Sequence, residues 1–136
     1  MTGMTTPVPI QPDDLPAPRG HYSPGLRADA WLFVSGQVPI TREGRLLVDA
    51  DLATQTRQCL ANLKAVLRAG GSSPERVLKL TVFLAAADGW SIVNAAVAEC
   101  FGAHRPARSV VPVPPFAGGF LVEIEAIALA VEIDQP

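Results

Sequence analysis

Two hydrophobic periods alternate along the chain, and each change of period marks the boundary of a predicted element. Dense runs of β-branched, aliphatic and aromatic residues are typical of strands. Such runs occupy residues 31–40, 76–85, 107–113 and 120–133, and residues 21–30 are predicted as a short strand and a turn around Pro24–Gly25. The run at 31–40 breaks at Ser35–Gly36, and prolines should end the run at 107–113 quickly because proline cannot donate to a strand ladder.

Two other segments repeat every three to four residues, which predicts helices. In the first segment the repeating positions are Leu52, Thr56, Cys59, Leu60, Leu63, Val66 and Leu67. Asp49 or Asp51 can cap its start, and Gly70–Gly71 should end it. The second helix is predicted over residues 89–101, with Asp88 as a candidate cap. Its predicted apolar stripe consists of Trp90, Val93, Val97 and Phe101.

The predicted order β-β-α-β-α-β-β provides two helices, which cover only one face of a sheet. The last strand indicates what the other face is like, since alternate residues of a strand share a face. Ala126 and Ala128 lie on one side and suit helix packing, while larger aliphatics lie with Glu123 and Glu125 on the other. Both sides are mostly apolar, so we expect a homo-oligomer closed through the second side. The alternative is that both glutamates are solvated residues of an outer face.

Composition narrows the classes of function. A chain of 136 residues suits one domain, expected at 20–136 after an extended or disordered, proline-rich tail at 1–19. The net charge of −2 does not indicate binding to nucleic acid, and no apolar run is long enough to span a membrane. The N-terminus lacks the layout of a secretion signal, and Cys59 and Cys100 fall in helical patterns. We therefore expect a reduced, cytoplasmic protein.

Arg108 stands at the head of an apolar strand, where an unpaired guanidinium is costly to bury. Glu123 lies in the next predicted strand, and a hairpin turning near Phe116–Gly119 would bring the two side chains together. A guanidinium holds a carboxylate through two parallel hydrogen bonds, and a glutamate can orient or deprotonate a water. The pair predicts a pocket for hydrolysis of a small carboxylic acid. The alternative is an internal salt bridge without a ligand.

Segments spread along the chain resemble the RidA (YjgF-like) family. "PARS" at 106–109 and "VEIEAIAL" at 122–129 look like the two ends of the family signature. The family's N-terminal strands, first helix, central strand and second helix are matched in order by "YSPGLRADAWLFVSGQVPI", "TQTRQCLANLKAVLRAGG", "VLKLTVFLA" and "VNAAVAECFG". The resemblance covers about residues 20–132. It implies an α+β, chorismate-mutase-like fold, a mixed β-sheet with two helices on one face, in a homotrimer with pockets between subunits.

The resemblance also implies hydrolysis of reactive 2-enamino or 2-imino acids to 2-oxo acids and ammonia, with no metal or organic cofactor. Arg108 matches the arginine that clamps the substrate carboxylate, and Glu123 matches the acid that positions water. The substrate-binding residues that the match implies are Tyr22 from a neighbouring subunit, Ser35, Gly36 and Asn94. For Asn94 the alternative is a helix-surface or capping role, and for Ser35 it is bonding to local backbone groups.

The chain departs from the family pattern at two places beside these residues. Val110 stands where many members have a cysteine, so no thiol acts next to Arg108. The loop "VPPFAGG" at 113–119 replaces the usual leucine-containing loop, which leaves the size of the substrate open. Cys59 and Cys100 match no catalytic position and are expected to be core thiols.

Three other functions stay open at this point. They are a pathway-specific hydrolase or isomerase for a bulkier substrate, a non-catalytic trimer that binds small acids, and an endoribonuclease, an older label of the family. The last fits least well, because the sequence has no basic stripe and only Arg105 lies close to Arg108.

Overall fold

A computed structural model describes residues 6–131 of the chain, and these residues form one sheet and two long helices. The strands are β1 (Val8–Ile10), β2 (Gly25–Ala28), β3 (Trp31–Gln37), β4 (Val77–Leu84), β5 (Ala107–Pro112) and β6 (Val122–Leu129). The helices are α1 (Leu52–Ala69) and α2 (Trp90–Phe101), with a short 3-10 turn at Pro74–Arg76. The order of elements predicted from the hydrophobic periods is confirmed, with β1 added before it.

Within the described residues the sheet is mixed, in the order β1-β2-β3-β6-β4-β5. Neighbouring strands are antiparallel except β4 and β5, which are parallel. Both helices pack on one face of the sheet, as predicted. The core between the helices and the sheet includes Leu32, Leu63, Leu67, Leu80 and Ile124, all fully buried.

The predicted division of the last strand into two sides is confirmed. Val122, Ile124, Ala126 and Ala128 are buried beneath the helices. Residues 123, 125, 127 and 129 lie on the opposite side, here called the open face, and none of them is buried. Leu26, Trp31 and Phe33 of β2 and β3 share the open face through their pairing, and each side chain is more than a third exposed. A single protomer thus leaves a broad apolar surface uncovered on one side of its sheet.

The predicted hairpin between the strands of Arg108 and Glu123 is wrong. β5 pairs with β4, and β6 lies between β3 and β4, so β4 separates the two strands. Helix α2 supplies the crossover that a parallel pair such as β4–β5 requires. The loop after β5 then returns the chain to the sheet interior. It is held at the end of β4 by Val113 N–H donating to the Leu84 carbonyl at 3.0 Å.

Of the caps predicted for the two helices, the one at the start of α1 is present and the one at the start of α2 is absent. Asp51 Oδ1 accepts a hydrogen bond from Thr54 N–H at 2.9 Å and caps α1, as predicted. The Asp88 cap is wrong, because α2 is preceded by Gly89 and has no side-chain cap. A Cβ on Gly89 would overlap the Leu52 side chain, so the glycine lets the starts of the two helices pack together.

The segment expected to be a tail contains an edge strand. β1 pairs with β2, and Ile10 and Leu15 pack against the core. Pro9 is compatible with this strand because an edge strand can leave one side of its ladder unpaired. The start of the predicted tail, at residues 1–5, lies outside the described residues. The end of the last predicted strand also lies outside them, at residues 132–136.

Candidate active site

The Glu123 carboxylate lies on the open face against the backbone of β3. A Cβ built on Gly36 would overlap Glu123 Oε2 and would come within 2.8 Å of Cδ. The register of β3 and β6 shifts between Val34 and Gln37, so Gly36 lies in an irregular part of the strand. Glycine at position 36 therefore makes room for this carboxylate.

Tyr22 and Ser35 lie beside the same stretch of β3. Ser35 Oγ donates to the Ser23 carbonyl at 2.6 Å, and Ser35 N–H donates to the Pro24 carbonyl at 2.9 Å. A cavity of about 390 Å³ is lined by Tyr22, Ser35 and Glu125, and a smaller one of about 160 Å³ by Tyr22 and Gly36. Ser35 thus performs the local backbone role, while the exposed Tyr22 ring borders open space. We call Tyr22, Ser35, Gly36 and Glu123 the carboxylate half.

The electrostatic surroundings of Glu123 favour its protonated form. Burial raises the pKa of this carboxyl above the ordinary glutamate value of 4.5, and the negative charge of Glu125 raises it further. Within residues 6–131 no ion pair includes Glu123. A carboxylate with a raised pKa and no cation holding it is a better proton acceptor than an exposed glutamate.

Cys59 lies under the same strand but does not take part. Burial raises the pKa of its thiol far above the ordinary cysteine value, and the charge of Glu123 adds to the shift. The thiol is within 3.7 Å of the Val122 carbonyl and is fully buried. It stays protonated and acts as a small core residue, as predicted.

Arg108 lies at the other edge of the sheet and on its other face. It pairs with Leu80 of β4, whose side chain is buried beneath the helices. Its Nη1 donates to Asn94 Oδ1 of α2 at 2.9 Å, and its Cζ lies 5.5 Å from the centre of the Trp90 ring. A groove of about 480 Å³ between α2 and β5 is lined by Asn94, Phe101, His104, Arg105 and Arg108, among others. We call Trp90, Asn94 and Arg108 the guanidinium half.

The two halves do not meet within one protomer. Glu123 pairs with Phe83, which lies on the open face, whereas Arg108 pairs with the buried Leu80. The two strands are two spacings apart, roughly 10 Å, and their side chains point to opposite faces of the sheet. The internal salt bridge considered for Arg108 and Glu123 is therefore absent, and Arg108 pairs with no carboxylate among the described residues.

Trp90 lies near Arg108, which its sequence pattern does not predict. The helical spacing predicts Trp90 in the apolar stripe of α2, but 52% of its surface is exposed. Trp90 and Asn94 are four residues apart, which puts them on one face of the helix, and this spacing is the signal that could have linked them. Val110 shares the helix face with Arg108 and packs against the core.

Residues 6–131 contain no group of three or more His, Cys, Asp or Glu side chains that could hold a metal ion. Over the same residues, no helix is both long and apolar enough to cross a membrane.

The sequence and the fold match known proteins over most of their length. A family model described as Endoribonuclease L-PSP matches residues 13–130. A RutC family protein of Pyrococcus horikoshii is 41% identical over 116 residues, which are 85% of this chain and 92% of that protein.

Solved structures share the same fold. The Rid family protein YyfA of Yersinia pestis, of unknown function, is similar with a TM-score of 0.87 and 37% identity, over 92% of this chain and 100% of that one. E. coli TdcF with bound serine is similar with a TM-score of 0.84 and 31% identity, over 91% and 99% of the two chains. The predicted α+β, chorismate-mutase-like fold of one chain is confirmed.

Proposed function

Because the chain belongs to the RidA (YjgF-like) family, whose Endoribonuclease L-PSP model matches residues 13–130, we propose that it hydrolyses reactive 2-imino acids. The products are the 2-oxo acid and ammonia, and 2-enamino acids enter after tautomerising to the imine. This is a hydrolase reaction at a C=N bond. It needs no metal or organic cofactor, because water is the only co-reactant.

The observation that carries the proposal is a pair of charges that do not neutralise each other. Arg108 is held by an amide oxygen and an aromatic ring, and no carboxylate of the described residues pairs with it. Glu123 has a raised pKa and, within residues 6–131, forms no ion pair. An arginine held in this way can bind a substrate carboxylate, and such a glutamate can accept a proton from water.

The chemistry follows from these two roles. Arg108 binds the substrate carboxylate and fixes the position of the adjacent C2 atom. Glu123 accepts a proton from a water molecule as the water oxygen bonds to C2, and the imine nitrogen gains a proton, for which the Tyr22 hydroxyl is a candidate donor. Glu123 then gives its proton to the amine nitrogen of the resulting carbinolamine, the C–N bond breaks and ammonia leaves. The remaining hydroxyl gives its proton to the Tyr22 oxygen, which yields the 2-oxo acid and restores both side chains.

A site with both roles requires two protomers. The open face carries exposed Leu26, Trp31 and Phe33, and an apolar surface of this kind favours a subunit interface. We propose a homotrimer in which the guanidinium half of one subunit faces the carboxylate half of the next. Tyr22 then lines the pocket from the subunit that also supplies Glu123.

The similarity to TdcF supports a small ligand with a carboxylate, since that structure is described with bound serine. The unpaired state of Cys59 and Cys100 agrees with a reducing compartment, and we include a cytoplasmic location in the proposal.

A coupled assay tests the proposal. A pyridoxal-phosphate dehydratase generates 2-aminoacrylate or 2-iminobutyrate, and release of ammonia and 2-oxo acid is followed with and without the protein. We expect the wild type to speed release and Arg108→Ala to lose most of the effect. Arg45→Ala, which removes an exposed arginine distant in sequence, is the matched control and should retain wild-type activity.

Two results would replace this function by another. A wild-type protein that binds 2-oxobutyrate but speeds no imine hydrolysis would be a small-acid-binding protein. Cleavage of single-stranded RNA by highly purified protein, lost in Arg108→Ala, would instead support the endoribonuclease that the family model is named for.

A further inference from the structure

Trp90 is a large aromatic side chain that the helix leaves half exposed. It opens α2, and 52% of its surface is accessible. Its ring lies against one cation, the Arg108 guanidinium, at 5.5 Å from Cζ to the ring centre. Arginine is the most frequent cation in such contacts, and tryptophan is the aromatic ring that binds a cation best. The exposed Trp90 ring therefore has a defined partner, Arg108, and is not simply a core residue left uncovered.

We propose that Trp90 is a positioning residue that, together with Asn94, holds the Arg108 guanidinium in the orientation that receives a carboxylate. This inference rests on the proposed role of Arg108 and assigns the residues that make the clamp rigid. A free arginine side chain loses rotamer entropy when it binds a ligand, so a guanidinium that is held beforehand binds more tightly.

The contacts leave a defined part of the guanidinium for the ligand. Asn94 Oδ1 accepts from Nη1 at 2.9 Å, and the Trp90 ring lies next to Cζ. Among the described residues no hydrogen bond uses Nη2 or Nε of Arg108, and these two atoms form an edge of the guanidinium whose parallel donors match the two oxygens of a carboxylate. The ring faces the cation and the amide occupies one nitrogen, so the two contacts restrict different rotations of the side chain.

The size of the effect follows from the strength of a cation–π contact. Loss of the Trp90 ring should weaken carboxylate binding by about 2- to 30-fold, the range from exposed to desolvated contacts. Phenylalanine keeps a weaker ring face, so Trp90→Phe should lose less than Trp90→Leu. KM should rise with the dissociation constant, while kcat should stay near the wild-type value because Glu123 is untouched.

Binding of 2-oxobutyrate, measured by isothermal titration calorimetry, tests the inference without any turnover. Trp90→Leu and Trp90→Phe are compared with Ile92→Ala, which removes another exposed apolar residue from the same helix. We expect Trp90→Leu to weaken binding the most, Trp90→Phe to weaken it less, and Ile92→Ala to leave it unchanged. Equal affinity in the wild type and both Trp90 variants would overturn the inference.

A double-mutant cycle shows whether Trp90 acts through Arg108. In an Arg108→Ala background, Trp90→Leu should have no further effect on 2-oxobutyrate binding. If it weakens binding equally in both backgrounds, Trp90 contacts the ligand itself, and the positioning role is wrong.

Failure of the proposed function is distinguishable from failure of this inference. The ¹⁵N NMR resonance of the Arg108 Nε–H reports its surroundings without ligand or substrate. Trp90→Leu should remove the ring-current shift of the Nε–H proton and broaden the signal as this proton exchanges faster with water, even if the wild type hydrolyses no imine. An unchanged, sharp resonance would overturn the positioning role whatever the assay shows.

Discussion

The guanidinium half and the carboxylate half are built in different ways. Arg108 extends from an edge strand and is held by side chains of a helix, Asn94 at 2.9 Å and Trp90 at 5.5 Å. Glu123 extends from an interior strand and lies against a backbone that has no side chain at Gly36. The first arrangement fixes the direction of a permanent charge. The second changes the proton affinity of a titrating group, because burial and Glu125 raise its pKa.

This difference indicates a division of labour. A group that stays charged at every working pH suits binding, whereas a carboxyl with a raised pKa suits proton transfer. If the halves act separately, a substitution in the guanidinium half should mainly weaken ligand affinity, and one in the carboxylate half should mainly lower kcat. The predictions below test that separation.

The largest expected effect is on kcat in Glu123→Gln. The amide keeps the shape of the side chain but cannot accept the water proton, so kcat should fall by about 10²- to 10⁴-fold. The affinity for 2-oxobutyrate, measured by calorimetry, should stay close to wild type. A variant that loses affinity as strongly as activity would show that Glu123 contributes to binding. That result would contradict separate roles for the two halves.

Arg108→Ala should give the opposite pattern. Removal of two charge-assisted hydrogen bonds should weaken 2-oxobutyrate binding and lower kcat/KM by about 100-fold. Arg108→Lys keeps the charge but not the paired donors, so it should recover only part of the loss. Full activity in the lysine variant would mean that Arg108 acts as a point charge and that its fixed orientation has no role.

Gly36→Ala should reduce activity with little change in stability. The added methyl would overlap the end of the Glu123 side chain, which can rotate away at low cost. A displaced carboxylate no longer reaches its water, and kcat should drop by about 10- to 100-fold. Thermal unfolding should show a nearly unchanged melting temperature. A large loss of stability would show that Gly36 is needed for the strand rather than for the site.

The smallest expected effect concerns pH. The folded-state pKa of Glu123 lies above 4.5, so its deprotonation disfavours the folded state. This loss of folding stability is absent at pH values below the unfolded-state pKa of Glu123, and it is complete at pH values above the folded-state pKa. Glu123→Gln should therefore be more stable than wild type at neutral pH and equally stable in acid. The gain should stay below about 1 kcal/mol, because the half-exposed carboxyl is screened by water.

The same shift predicts the pH profile of the reaction. In the wild type, kcat/KM should fall as pH is lowered through a value above 4.5, where Glu123 becomes protonated. In Arg108→Ala the residual activity should keep this acidic limb, and in Glu123→Gln the limb should disappear. An acidic limb that survives in Glu123→Gln would belong to another group.

Patterns local to one strand or helix predicted much of this fold. The alternation in β6 separated buried alanines from the open face, because each side chain's face depends only on its position in the strand. Helix α1 begins after Asp51 and ends at Gly70 as predicted, because caps act within one turn. The family resemblance implied a substrate-binding role for Gly36, and its contact with Glu123 required the structure.

Partners distant in sequence were harder to predict. The run after Arg108, the turn "AGG" and the strand of Glu123 have the order of a hairpin, yet β4 separates the two strands. Strand pairing is decided by the whole sheet, and a local turn signal cannot reveal an inserted strand. Its helical spacing predicts Trp90 in the apolar stripe of α2, and such a stripe usually faces the core. Its partner Arg108 reaches it only through the β4–α2–β5 crossover.

The most direct test of a site shared between subunits is complementation between two inactive variants. Arg108→Ala and Glu123→Gln are co-expressed, and the mixed assemblies are assayed for imine hydrolysis against each variant alone. A site that takes Arg108 from one subunit and Glu123 from the next should be intact in about a quarter of the positions of an equally mixed homotrimer. We predict recovery of up to about a quarter of wild-type activity. Mixed assemblies as inactive as the separate variants would contradict a site formed by two subunits.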